Sequence, residues 1–379
     1  MVPLSLYIHI PWCIRKCPYC DFNSHKSPDE LPEEQYVNAL IADLQEDLLT
    51  FENRELKSIF IGGGTPSLFS AKAYETLFTR LKKILPFAEN IEITLEANPG
   101  TVEQQRFTEY RALGINRLSL GIQSFNAEHL KALGRIHDEK QAHLAIESAR
   151  KAGFNNLNLD IMHGLPGQSP MQGVHDLRTA LSHQPEHLSW YQLTIEPNTV
   201  FYKKTPLLPS EDETFAIEEQ GLELLHAHGF KRYEISAFCR EDKRCKHNMN
   251  YWLFGDYYGI GAGAHGKITS AAVKKIYRTR KQRQPRDYLA LDKPFLAAQE
   301  TVGPDNLIFE FMLNTTRLQD PIPHFLFNER TLLHFETLES KLLLAEQKGL
   351  LTMDSTHWQV TPLGRRYTND LQLLFLPDQ

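Results

Sequence analysis

An α/β fold, an incomplete (β/α)6 barrel followed by a smaller, mainly helical C-terminal region, is what the 379-residue sequence predicts. Three observations predict it. Over roughly the first 200 residues, apolar β-prone runs alternate with amphipathic helical patterns. The cysteine, glycine and charged motifs fall just after those runs. An internal echo repeats the unit, since RALGINRLSL (111–120) and RKAGFNNLNL (150–159) both read as a helix end, a glycine cap and a buried strand. Strands alternating with helices pair in parallel through right-handed crossovers, and six such units give a partial barrel.

The elements follow in order. Strands are expected at Leu4–Ile10, Ser58–Ile61, Ile91–Leu95, Arg117–Leu120, Asn156–Asp160 and Leu188–Gln192. Val37, Leu40, Ile41, Leu44 and Leu48 share one face of a first helix, with Pro32 near its start. Ser70 is a plausible N-cap for a second, whose Tyr74, Leu77, Phe78 and Leu81 fall on one side. Thr101-x-x-Gln104 has a capping-box pattern, and that helix stops at Gly114. Residues 1–200 therefore form the barrel, 201–303 an aromatic-rich connecting region packed on it, and 304–379 the C-terminal domain. There, a helix, a short hairpin and a last helix are expected between Leu342 and Arg365.

Composition excludes several classes. A 41% hydrophobic and 23% charged chain is an ordinary globular one. A net charge of −6 argues against nucleic acid as a partner. The N-terminus lacks a basic segment, and no apolar run approaches the length of a membrane span, so neither leader nor span is expected. Five cysteines, three of them clustered, do not suggest a disulfide framework, and a reducing cytoplasm is expected.

The chemistry centres on residues 7–22, YIHIPWCIRKCPYCDF, with Cys13, Cys17 and Cys20 in one loop after the first strand. Three thiolates leave one metal position open, whereas a structural zinc site closes four. A zinc loop or three free thiols is the alternative. Gly62-Gly63-Gly64-Thr65-Pro66 follows the second strand, Glu96 ends the third, Gln123 the fourth and Asp160 the fifth. All lie at C-terminal strand ends, where barrel active sites are built.

The cysteine spacing together with the glycine run resembles the radical S-adenosylmethionine (SAM) superfamily. The run YIHIPWC and later motifs resemble the relatives of oxygen-independent coproporphyrinogen III oxidase, and among them the haem-chaperone branch, HemW. The resemblance covers nearly the whole chain. It implies a barrel of radical SAM type and a winged-helix-like C-terminal domain. It also implies a [4Fe–4S] cluster on the three cysteines, with SAM on the open iron. Gly63 would contact the methionyl part of SAM, Glu96 would accept hydrogen bonds from it, and Tyr7 would lie near it. Residues matching a second SAM site are Gln123, Arg135 and Asp160, with Tyr19, Gly64 and Thr65 beside them; a buried ion pair fixing the barrel rim is the alternative.

Two features separate the chain from the oxidase branch. Phe22 stands where that branch has a fourth cysteine, and the cluster strand begins almost at once, at Leu4. Both match the chaperone branch, whose partners would be haem and haem-acceptor proteins such as respiratory haem enzymes, with a homodimer possible. The His247-Asn-x-x-Tyr251-Trp252 element is typical of that branch. An imidazole ligand and flat aromatic surface suit a porphyrin, and a core histidine at a domain junction is the alternative. Seven Lys or Arg between residues 274 and 286 suit haem propionates, an acidic partner or a solvated loop. The rival function is an enzyme, an anaerobic coproporphyrinogen III oxidase.

Overall fold

The computed structural model describes residues 2–377, without the side chains of residues 101–103. Among these residues a single sheet of twelve strands runs from residue 4 to residue 301. Its strands are β1 (Leu4–Ile10), β2 (Leu56–Gly63), β3 (Phe87–Ala97), β4 (Arg117–Gln123), β5 (Leu157–His163) and β6 (His187–Gln192). They continue as β7 (Lys231–Arg232), β8 (Ala237–Cys239), β9 (Asp256–Ile260), β10 (His265–Ser270), β11 (Lys275–Lys281) and β12 (Leu296–Thr301). Their order across the sheet is β12-β11-β10-β9-β1-β2-β3-β4-β5-β6-β8-β7.

The six expected strands are β1 to β6, and each pairs in parallel with the next. β9 adds a seventh parallel strand on the other side of β1, with Leu4 opposite Asp256 and Ile8 opposite Ile260. Antiparallel strands then extend both edges, so the barrel is incomplete. β1 is buried at six of its seven positions, the pattern of a parallel strand covered on both faces.

Helices α1 (Glu33–Thr50), α2 (Ala71–Ile84), α3 (Thr101–Ala112), α4 (Glu139–Lys151), α5 (Pro170–Ser182) and α6 (Glu211–Ala227) alternate with or follow the strands. Val37, Leu40, Ile41 and Leu44 of α1 join the same core as Leu4, Leu6, Ile8 and Ile10. Ser70 caps α2, its hydroxyl accepting from the Ala73 N–H at 3.2 Å. Gly100 occupies the cap position of α3; the capping box expected at Thr101 lies outside the described side chains.

The region after residue 230 departs from expectation. β9 to β12 belong to the barrel sheet rather than merely packing on it. The basic run is largely β11, whose charged residues range from exposed Lys275 and Arg280 to buried Lys281. Lys281 is buried against Asp43 at 2.5 Å and Asp47 at 2.7 Å, while the Arg278 Nε donates to Glu310 at 2.9 Å. The sequence signal is charge alone, since the carboxylates that Lys281 meets lie more than 230 residues earlier in the chain.

Beyond the sheet come α7 (Lys246–Trp252, inserted before β9), α8 (Pro304–Thr315), α9 (His324–Thr331) and α10 (Glu336–Gln347). A small sheet of β13 (Ile322–Pro323), β14 (Leu351–Met353) and β15 (His357–Val360) completes a winged-helix-like arrangement around Phe311, Phe327, Leu342 and Trp358.

Candidate functional site

The cysteine loop is built as a closed excursion from β1. Trp12 and Cys13 pair in parallel with His25 and Lys26, and Pro11 O accepts from the His25 N–H at 2.7 Å. His9 holds the loop from below, its Nε2 lying 2.8 Å from Asn23 O. A carbonyl only accepts, so Nε2 carries the proton and Nδ1 accepts from the Tyr7 hydroxyl at 2.9 Å. Burial lowers the His9 pKa to about 4, which keeps this tautomer neutral.

The glycine run is needed for close packing of chain on chain. Gly63 has φ +116°, and a side chain there would strike the His9 ring at 2.6 Å. A Cβ on Gly64 would lie 2.5 Å from Trp12 O. Instead the Gly64 and Thr65 N–H groups donate to Ile10 O and Trp12 O, both at 2.7 Å. β2 is thereby fastened to the strand that launches the cysteines.

Above this seam lies a cavity of about 810 Å³. Cys13, Cys17 and Cys20 line it together with Tyr19, Gly63, Gly64, Thr65, Glu96, Gln123, Arg135 and Asp160. All three cysteines are free and half-buried, and burial pushes the Cys13 and Cys20 thiols up. Among the described residues no three His, Cys, Asp or Glu side chains converge on a single-ion position. Three thiols spread around one cavity fit a multi-atom iron–sulfur cluster, whose binding would release their protons.

The walls are polar and preorganised. Arg135 donates to Asn98 Oδ1 at 2.6 Å, to Gly121 O at 2.7 Å and toward Cys17 Sγ at 3.7 Å, while its buried Nε has no partner. It makes no ion pair with Asp160. Asn98 in turn donates to Thr65 Oγ1 at 3.0 Å. Gln123 adopts φ +69°, an uncommon conformation for a non-glycine residue, and accepts from the Tyr191 hydroxyl at 2.8 Å. Asp160 accepts from Asn158 at 2.8 Å and Ser119 at 3.2 Å, and burial raises its pKa. Asn98 and Ser119 were not singled out from the sequence, because nothing local distinguishes them from ordinary strand-end polar residues.

Glu96 accepts from the Gly63 N–H at 3.2 Å. Burial, and then the nearby Asp160, raise its pKa from 4.5 to about 8. Stability tied to the neutral carboxyl is thus fully present below the unfolded value and is lost as pH rises through about 8. In the cluster-free protein Glu96→Gln is therefore expected to raise the melting temperature more at pH 9 than at pH 6. Equal increments in a thermal melt at both pH values would contradict this ionisation.

Tyr7 and His247 lie outside the cavity lining. The Tyr7 ring stacks on Phe60 at 6.4 Å and tilts against His247 at the same distance. His247, on α7, is 1% exposed, with Nδ1 3.0 Å from Ser58 Oγ and Nε2 2.8 Å from the Tyr251 hydroxyl. Both ring nitrogens are engaged, and burial lowers its pKa to about 3. Trp252 presents its face to Arg317, whose guanidinium lies 4.2 Å from the ring centre. His247→Ala is expected to cost about 3 kcal/mol, from the void and the stranded Ser58 and Tyr251 hydroxyls. Urea unfolding measures it, and a loss below about 1 kcal/mol would contradict the packing described.

Comparison with known proteins agrees with this geometry. The Radical SAM superfamily model matches residues 7–180, and the HemN C-terminal domain matches residues 302–367. The chain is 48% identical to Heme chaperone HemW of Escherichia coli (strain K12) over 376 residues, covering 99% of both chains. It is 47% identical to that of Haemophilus influenzae over 381 residues, covering 100% of this chain and 99% of the other. The structure of coproporphyrinogen III oxidase (HemN) from Escherichia coli is similar with a TM-score of 0.83 and 24% identity, covering 99% of this chain and 90% of that one. That likeness shows the fold alone. By its full-length identity to these relatives, the chain belongs to the HemW family of radical SAM proteins.

Proposed function

We propose that this chain is a haem chaperone, which binds haem, carries a SAM-ligated [4Fe–4S] cluster and passes haem to acceptor proteins, respiratory haem enzymes among them. The observation that carries this reading is the full-length identity of 48% to Heme chaperone HemW, on a chain whose three loop cysteines line one cavity.

Cys13, Cys17 and Cys20 would hold the cluster, which when bound supplies a low-potential electron to SAM. Gly63, Gly64 and Thr65 form the adjoining wall, and Glu96 in its ionised form would accept from the SAM amino group. Arg135 lines the same cavity and would pair a second anionic ligand, with Gln123, Asp160 and Tyr19 beside it. Phe22, 61% exposed at this cavity, offers an apolar ring where the oxidase branch has a thiol. That favours shelter of a flat apolar ligand over the oxidase's chemistry. For His247, direct ligation of haem iron would require it to leave Ser58 or Tyr251. The division into residues 1–200, 201–303 and 304–379 is best redrawn with the sheet extended to Thr301. No helix among the described residues is long and apolar enough to cross a membrane, and a cytoplasmic site of action is part of the proposal.

The test is anaerobic incubation of the reconstituted chain with coproporphyrinogen III, SAM and a strong reductant. The expected result is no decarboxylated product on chromatography. Conversion over many turnovers would overturn the chaperone reading in favour of the oxidase.

A further inference from the structure

We propose that Arg317, from the C-terminal region, is a carboxylate receptor in the wall of the cluster cavity and reads a propionate of the porphyrin ligand. The inference rests on the haem reading above and adds the group that would recognise the ligand's charged edge.

Arg317 follows α8 and lies some 300 positions after the cysteine loop, yet it lines the same cavity as Cys13, Cys17, Cys20 and Asp160. It enters on the β6–β8 side, because its partner Glu234 sits just before β8. Ala237, at the start of β8, pairs with Ser189 of β6, and Ser189 is itself a cavity residue. β1, which launches the cysteines, is five strands away in the sheet order. The other basic residues on the cavity wall, Arg15, Lys16 and Arg135, belong to the cysteine loop or contact it. Arg317 therefore provides positive charge on the side of the cavity that otherwise lacks it.

Its position is held from three directions. Nη2 donates to Glu234 Oε2 at 2.9 Å, and the other Glu234 oxygen accepts from the Ser236 N–H at 2.8 Å and hydroxyl at 3.1 Å. The flat face of the guanidinium lies over Trp252. The backbone is tied by the Gln319 N–H donating to Tyr233 O at 3.1 Å, and Arg244 pairs with Asp320. An arginine held this way loses little side-chain freedom when it binds an anion.

It also has donors to spare. Among the described residues Nη2 alone finds a hydrogen-bond partner, and Nε is buried with none. Nη1 is left without a partner on a side chain that is 27% exposed, and a guanidinium beside a cavity matches a carboxylate. The same cavity offers apolar surface at Tyr19, Phe22, Met162 and Leu193. A flat apolar ligand with carboxylates at one edge satisfies both. SAM also carries a carboxylate, so the two sources must be separated.

The experiment titrates the anaerobically reconstituted chain with haem and with haem dimethyl ester, whose propionates are uncharged, following absorbance. SAM binding is measured in parallel by equilibrium dialysis. The variants are Arg317→Gln and the double variant Glu234→Gln with Arg317→Gln, which removes both charges and leaves no buried carboxylate unpaired. Wild type is expected to prefer haem over its diester by about tenfold, the worth of one charge-assisted hydrogen bond. Both variants should lose that preference while keeping diester affinity, SAM affinity and iron content. An unchanged preference in a folded double variant overturns the inference alone. A loss of SAM affinity with the haem preference intact also overturns it, assigning the carboxylate to SAM. A wild type that binds neither porphyrin overturns the haem reading and this inference together.

Discussion

Changing any one of Cys13, Cys17 or Cys20 to serine is expected to abolish the cluster and leave the barrel folded. Reconstituted wild type should hold about four iron and four sulfide per chain, and each variant close to none. The expectation of intact folding follows from where these side chains lie. All three are half-buried in a loop, whereas the core is made by β1 to β6 and the helices against them. The loop keeps its shape through backbone bonds at His25 and Ser27 and the His9 contact with Asn23, none of which uses a cysteine side chain. Cys239, buried near Tyr233 and outside the cavity lining, is the control, and Cys239→Ser should retain its iron. Metal and sulfide analysis with circular dichroism decides the matter. Unchanged iron in all three loop variants would sink the cluster assignment.

The second large effect concerns the seam between β9 and β1. Asp256 is fully buried and accepts from Lys267 Nζ at 2.9 Å and Arg54 Nη2 at 2.7 Å. It also accepts from the Thr269 N–H at 3.0 Å and hydroxyl at 2.8 Å. Lys267 is itself 1% exposed, so Asp256→Ala leaves a buried ammonium with backbone carbonyls as its remaining partners. The expected cost is about 3–5 kcal/mol, the penalty of an uncompensated buried charge. A drop in the urea midpoint with an unchanged slope would measure it, and a loss under 1 kcal/mol would contradict it. After the opposing cost of burial, the Lys267 and Arg54 charges leave the Asp256 carboxyl below its ordinary 3.8. The stability it contributes is therefore present above that value and lost as pH falls through the folded one. The variant should show a shallower acid limb than wild type. Because Leu4 and Asp256 are opposite each other, the damage falls on the strand that carries the cluster loop.

Much of this architecture was readable along the chain. β1 was expected at the residues it occupies, since a short β-prone run with Leu4, Leu6, Ile8 and Ile10 at every second position, ended by Pro11, has few other fates. Cys13, Gly63, Glu96, Gln123 and Asp160 stood out because each lies in the C-terminal half of a strand or at its end, and parallel pairing brings such ends to one side of the sheet. What was not readable has physical causes. β9 to β12 hide behind glycines and a basic run, and the partners of Lys281, Asp43 and Asp47, are far away in sequence. His247 offered two fates, a haem ligand or a core histidine at a domain junction, and its contact with Ser58, 189 residues away, is not written in the local motif. Arg317 gave no signal, as one arginine after a helix is commonplace until the fold brings it beside Glu234 and Trp252.

The measurement to make is a haem titration of the anaerobically reconstituted chain, followed by mixing with an apo-form haem enzyme. A stoichiometric Soret band on the chain, moving to the acceptor with the chain's cluster iron retained, is the result expected of a haem carrier. A full cluster with no haem uptake, alongside consumption of coproporphyrinogen III, would contradict it.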